Sequence, residues 1–214
     1  MTDMRTEEEQ VEAIKNWWKE NGKQTMVALV VVLGGWFGYQ GYEGQQQASG
    51  EAASVVYQEV LTLQNSEAEE DKGRRAVLLD QLKNEYGSTV YAQFAGLFKA
   101  KDAVDAGDLD AAAAELEAVK NNTSDDALRH LATVRLARIY TAQEKLDEAL
   151  SLLAADNSTA FSAEYYEAKG DALLAKGDQA GARDAYSEAV VEAQRIGANN
   201  PILNMKLDDL AVAN

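Results

Sequence analysis

The sequence predicts an all-α protein, with a single N-terminal transmembrane helix followed by a solenoid of repeated helical hairpins. Three observations predict it. Gln24 to Tyr42 are nineteen uncharged residues in a row, bounded by Lys23 and Glu43. Further on, a short turn pattern recurs at positions 107, 144 and 177. The composition favours helices, with one Pro, no Cys and few β-branched runs outside the apolar segment.

Residues 1–23 form a short tail. Thr6 and Glu9 have capping-box spacing. Val11, Ile14, Trp17 and Trp18 follow on one side of a helix, which either lies against the membrane face or extends the anchor. Residues 24–42 are the anchor itself. Nineteen residues at about 1.5 Å each span roughly 28 Å, close to a hydrocarbon core of about 30 Å.

Orientation follows the Lys and Arg residues near the anchor, because net charge does not set it. Lys15, Lys19 and Lys23 precede the segment, and no Lys or Arg follows until Lys72. The tail is therefore expected in the cytoplasm and the C-terminal domain outside it, which in a bacterium is the periplasm. Trp17, Trp18, Trp36, Tyr39 and Tyr42 bracket the segment as interfacial aromatics do. A cleaved signal peptide fits less well. The apolar run is longer than an ordinary h-region, the preceding tail is acidic, and no small-residue cleavage pattern follows. Residues 43–50, polar and Gly-containing, read as a linker, or alternatively as the continuation of one helix.

The soluble domain, residues 51–214, is long enough for one well-buried core. Ala52–Leu63 reads as a helix with Val55, Val56, Val60 and Leu63 inward, and Ala76–Tyr86 as another carrying Val77, Leu78 and Leu82. A charged loop, Glu67 to Gly73, separates them. Three segments then align: Gly107 to Ala112, Glu144 to Ala149 and Gly177 to Ala182. Four residues after each closing Ala stands a larger side chain, Leu116, Leu153 or Tyr186. Seven residues before each segment stands a small one, Ala100, Ala137 or Gly170.

This spacing describes a helical hairpin. The small residue lets the second helix approach, the Gly-Asp pair ends one helix and caps the next, and the large residue fills the space between hairpins. Repeats are placed near 93–126, 130–160 and 163–196, with a final helix at 202–212 after Asn199-Asn200-Pro201.

In this respect the chain resembles the tetratricopeptide repeat. The third copy carries Tyr166, Gly170, Leu173, Gly177, Asp178, Ala182, Tyr186 and Ala189 at the consensus positions. The second has Glu144-Lys145 in place of Gly-Asp, and the Pro that closes a consensus repeat is missing from all three. The resemblance implies a concave face lined by the first helix of each pair. By repeat position that face holds Phe94, Leu97, Lys101 and Val104, then Leu131, Val134, Arg138 and Thr141, then Glu164, Glu167, Asp171 and Leu174. These are the expected partner-binding residues; the competing reading makes the apolar ones core.

Chemistry is sparse. The one histidine, His130, opens a repeat helix, and without Cys a zinc site would need carboxylates. No phosphate-binding Gly-rich loop or nucleophile elbow is present, so no enzymatic activity, metal or cofactor is expected. Formal charge is −16, of which the first 23 residues carry −2 and the remainder −14. Such a domain repels phosphate backbones and anionic headgroups, which excludes nucleic acid as a partner. In the anchor, Gly34, Gly35, Gly38 and Gly41 form a small-residue face suited to packing on another membrane helix.

The whole layout resembles the family of ancillary subunits of the Sec translocon, single-pass inner-membrane proteins with a periplasmic tetratricopeptide-like domain. The residues carrying the likeness are Trp17-Trp18-Lys19 before the anchor, Tyr86 to Ala92, Ala100 to Val104 before Gly107-Asp108, and Met205 to Leu210. The resemblance implies association with the SecYEG channel and with a membrane-anchored periplasmic chaperone of the prolyl-isomerase type. It also implies a role in handing newly translocated, unfolded clients to chaperones. A scaffold for envelope assembly and a regulator of an envelope stress response are the alternative readings.

Overall fold

The computed structural model describes residues 7–154 and 161–212. Thr6 of the expected capping box and residues 155–160 at the end of the second repeat lie outside the described residues. Two compact units form, one ending at Glu51 and the other beginning at Ala52.

Helix α1 runs from Glu7 to Leu63. Its Gln24–Tyr42 stretch is exposed apart from half-buried Thr25, and the helix is long and apolar enough to cross a membrane. Residues 43–50 are helical, the second of the two readings given above. The physical reason lies in side-chain pairs one turn apart. The Tyr39 hydroxyl donates to Glu43 at 2.8 Å, the Gln46 amide to the Tyr42 hydroxyl at 2.8 Å and the Gln47 amide to Glu51 at 3.0 Å. With no Pro and no unpaired turn residue, Gly44 and Gly50 alone do not break it. The N-terminal aromatics likewise sit on the same helix and extend it, with the Trp18 indole lying against Gly22.

The second unit opens with the end of α1 and with α2, Glu69–Glu85. The helix starts inside the segment expected to be a charged loop. Glu69, Glu70 and Asp71 in its first turn suit the positive end of the helix dipole, and Lys72 bridges back to Glu69 at 2.9 Å. Ala53, Val60, Leu79, Leu82 and Ala95 form its core, with Tyr57, Tyr91 and Phe98 packed on it. Val55 and Val77, expected inward or apolar-facing, are about two-thirds exposed; the helices are rotated so that Ala53 and Leu79 point in.

Three hairpins follow: α3 Val90–Asp105 with α4 Leu109–Asn122, α5 Asp126–Ala142 with α6 Leu146–Ala154, and α7 Ser162–Ala175 with α8 Gln179–Arg195. Each expected small position is buried (Ala100, Ala137, Gly170), as is each closing Ala (Ala112, Ala149, Ala182) and each large residue (Leu116, Leu153, Tyr186). The three turns share one geometry. Gly107, Glu144 and Gly177 have φ of 76°, 61° and 86°. The next amide reaches back five residues: Asp108 to the Ala103 carbonyl at 2.8 Å, Lys145 to Tyr140 at 2.8 Å and Asp178 to Leu173 at 2.9 Å. This is a Schellman closure, and Glu144 makes it at the steric cost that Gly avoids.

A fourth turn of the same design ends α8, where Gly197 has φ 71° and the Ala198 amide bonds the Ala193 carbonyl at 2.9 Å. It leads into α9, Pro201–Val212, which packs on α8 through buried Leu203. Each core cluster thus joins sequential neighbours, as a solenoid requires.

Candidate functional site

The first helices of neighbouring hairpins stand side by side because their small residues face the second helices. Between α3 and α5 this leaves an open groove of about 300 Å³. Leu97, Ala100, Lys101 and Val104 line it from α3, Leu116 from α4, and Arg135, Arg138 and Ile139 from α5. The floor is apolar: Ala100, Leu116 and Ile139 are buried, and Val104 presents its side chain at 41% exposure. Three cations form the rim.

These cations differ in how they are engaged. Lys101 bonds Asp105 one turn on at 2.5 Å, both exposed. Arg138 reaches Glu167 of α7 at 3.5 Å. No ion pair joins Arg135 to a carboxylate among the described residues. Burial, and then the neighbouring Arg138 charge, pull the Arg135 guanidinium below its ordinary range. Each effect disfavours the charged form until an anion compensates it.

Four expected groove residues, Leu97, Lys101, Val104 and Arg138, come together here. The others are placed differently. Val134 is 4% exposed and belongs to the core with Ala137, Leu153 and Tyr165, because its position on α5 faces the second and third hairpins. Phe94 packs in an aromatic group, tilted against Tyr57 at 5.5 Å and edge-on to Tyr91 at 6.3 Å between ring centroids. Leu131 and Thr141 are half-buried, and the Thr141 hydroxyl donates to the Ala137 carbonyl of its own helix at 2.9 Å. Glu164 and Leu174 are exposed on α7.

Glu167 and Asp171 are taken up by the C-terminal helix. Lys206 of α9 donates to Glu167 at 2.8 Å and to Asp171 at 2.7 Å, while the Tyr186 hydroxyl donates to Asp171 at 2.7 Å. Burial draws the Lys206 ammonium down, but its bonds and attraction to both carboxylates outweigh that and raise it overall. Here the terminal helix takes up two of the third repeat's four face residues and leaves Glu164 and Leu174 exposed.

Arg135 escaped the sequence reading. It lies one residue after Val134, and mapping by repeat position selected Val134 and Arg138 and passed over the three residues between. Consecutive groove cations at i and i+3 of one helix were the available signal.

A second concavity, of about 450 Å³ and more polar than the first, is lined by residues including Lys120, Arg129, His130, Thr133, Leu152 and Tyr165. His130 is half-buried there, 3.2 Å from the Tyr165 hydroxyl and stacked on Phe161, so it joins α5 to α7. Among the described residues no group of three or more His, Cys, Asp or Glu is placed to hold a metal. In α1, a Cβ added at Gly34, Gly35, Gly38 or Gly41 would meet nothing within 4 Å, leaving that face open.

Fold and site together define a helical-repeat protein with an open apolar groove and one helix long and apolar enough to cross a membrane. The model of the tetratricopeptide repeat-like domain matches residues 15–212. Relatives from Escherichia coli (32% identical) and Haemophilus influenzae (31%) are each matched over at least 95% of this chain and 97% of theirs. A relative from Neisseria gonorrhoeae is 26% identical over 95% of this chain. All three are named ancillary SecYEG translocon subunit. The chain belongs to this family of ancillary SecYEG translocon subunits. No solved structure matches it significantly.

Proposed function

We propose that this chain is a non-enzymatic accessory of the Sec translocon, anchored in the bacterial inner membrane through residues 24–42. The tail faces the cytoplasm and the repeat domain the periplasm, as the Lys15, Lys19 and Lys23 bias supports. There it links SecYEG to a membrane-anchored periplasmic chaperone of the prolyl-isomerase type and aids handover of newly translocated proteins.

The observation that carries this reading is the near full-length match to proteins named for the translocon, which takes in both the apolar helix and every repeat. The open Gly face of α1 supports lateral contact with another membrane helix. The groove between α3 and α5 supports partner binding by the repeats.

Affinity purification in mild detergent tests it, comparing the full-length protein with a version lacking residues 1–42. Channel subunits and a chaperone are expected with the full-length protein. Recovery of the chaperone with both versions assigns that contact to the repeats. Recovery of outer-membrane or cell-wall assembly machinery, with no channel, contradicts the proposal.

A further inference from the structure

We propose that the α3–α5 groove takes an acidic, amphipathic segment of a partner protein, with carboxylates on Arg135 and Arg138 and aliphatic side chains on the apolar floor. The inference rests on the reading of this groove as the partner-binding surface and names the chemistry it recognises.

Charge is the argument. Residues 24–214 carry a net −14, yet the apolar groove between α3 and α5 is rimmed by Lys101, Arg135 and Arg138. An arbitrary surface on so acidic a domain would place carboxylates among them. Carboxylates are present nearby, but they engage Lys101 and, at longer range, Arg138; Arg135, exposed at the rim, stays unmatched by any described carboxylate. A guanidinium in that state gains most from a bidentate carboxylate.

The floor selects the rest of the ligand. Leu97, Val104 and Ile139 offer aliphatic contact in a concavity with room for two or three side chains. A short run alternating Leu or Val with Glu or Asp satisfies both demands. A phospholipid headgroup would satisfy only the rim, and the acidic surroundings would repel the membrane that carried it.

The test is fluorescence anisotropy with a fluorescein-labelled peptide alternating Leu and Glu, titrated with full-length protein in nonionic detergent at low salt. Binding is expected, about tenfold tighter than for the matching Leu–Gln peptide. Arg135→Gln should weaken the Leu–Glu peptide about tenfold, and Arg135→Lys should keep most of the affinity. Added salt should weaken the Leu–Glu peptide much more than the Leu–Gln peptide, a check that needs no variant.

Equal affinity for the two peptides, indifference to Arg135→Gln and Arg138→Gln, or no binding would each overturn the inference. So would displacement by a short-chain phosphatidylglycerol, which would assign the groove to lipid. Channel recovery by the wild type, measured in parallel, separates the two readings. If the channel is recovered but the peptide results fail, only the ligand chemistry falls. If the wild type recovers no channel, the translocon role falls whatever the peptide does.

Discussion

Gly170→Ala tests the packing of the third hairpin with a single methyl group. A Cβ at this position would lie 2.4 and 2.5 Å from two carbons of the Tyr186 ring, far inside van der Waals contact. The ring has nowhere to go. It is 1% exposed, its hydroxyl is held by Asp171 at 2.7 Å, and the Lys206 ammonium stands 5.6 Å from its centroid. Overpacking of this kind costs about 1–3 kcal/mol. Replacing Gly by Ala inside a helix returns up to about 1 kcal/mol. The net loss is about 1–2 kcal/mol, which for a domain of this size lowers Tm by about 2–8 °C. Thermal unfolding of the full-length protein in detergent, followed by circular dichroism, reads it. Gly73→Ala is the control: it sits at an exposed position of α2 with nothing within 4 Å of an added Cβ, so it should raise Tm slightly. A Gly170→Ala protein as stable as the wild type would refute the packing argument.

Further predictions follow from the turns and the terminal helix. Glu144→Gly removes a side chain from a φ of 61° and should stabilise the domain by about 0.5–1 kcal/mol in chemical denaturation. Asp178→Ala deletes the carboxylate that accepts the Gly181 amide at 2.9 Å and should cost about 1 kcal/mol by the same assay. Lys206→Met leaves Glu167 and Asp171 without their cation from α9, so hydrogen exchange at Leu203 and its neighbours should quicken while α3 and α4 are unchanged. At high pH, Tyr140 is the group to follow. Its bond to Glu117, then burial and the charges of Glu117 and Glu148, push its phenol up from near 10 to about 12. Its contribution to stability is complete below pH 10 and disappears as pH rises toward 12, so Tyr140→Phe should flatten the alkaline loss of stability.

Most of the fold was legible because it rests on local chemistry. Asp108 and Asp178 cap α4 and α8, as the Gly-Asp spacing predicted, and the buried Ala100, Ala137 and Gly170 mark where helices meet. The misses share a cause: they depend on partners one turn away or far along the chain. Gln46 and Gln47 look like linker residues until Tyr42 and Glu51 are seen to engage them. Glu67–Gly73 looks like a loop because charges dominate it, yet acids in a first turn are helix-compatible. Repeat position picked out four residues that line the α3–α5 groove but not which first-helix residues tertiary contacts would claim. Val134 went to the core, and Glu167 and Asp171 to Lys206, 39 and 35 positions later.

The measurement that bears most directly on the proposed role is photo-crosslinking from within the membrane segment. Benzoylphenylalanine replaces Phe37, which is exposed on the α1 face shared with Gly34 and Gly41. Irradiation of native membranes and identification of the adducts by mass spectrometry should give a SecYEG subunit or its membrane-anchored chaperone. Adducts confined to other envelope complexes, or to lipid alone, would contradict the assignment.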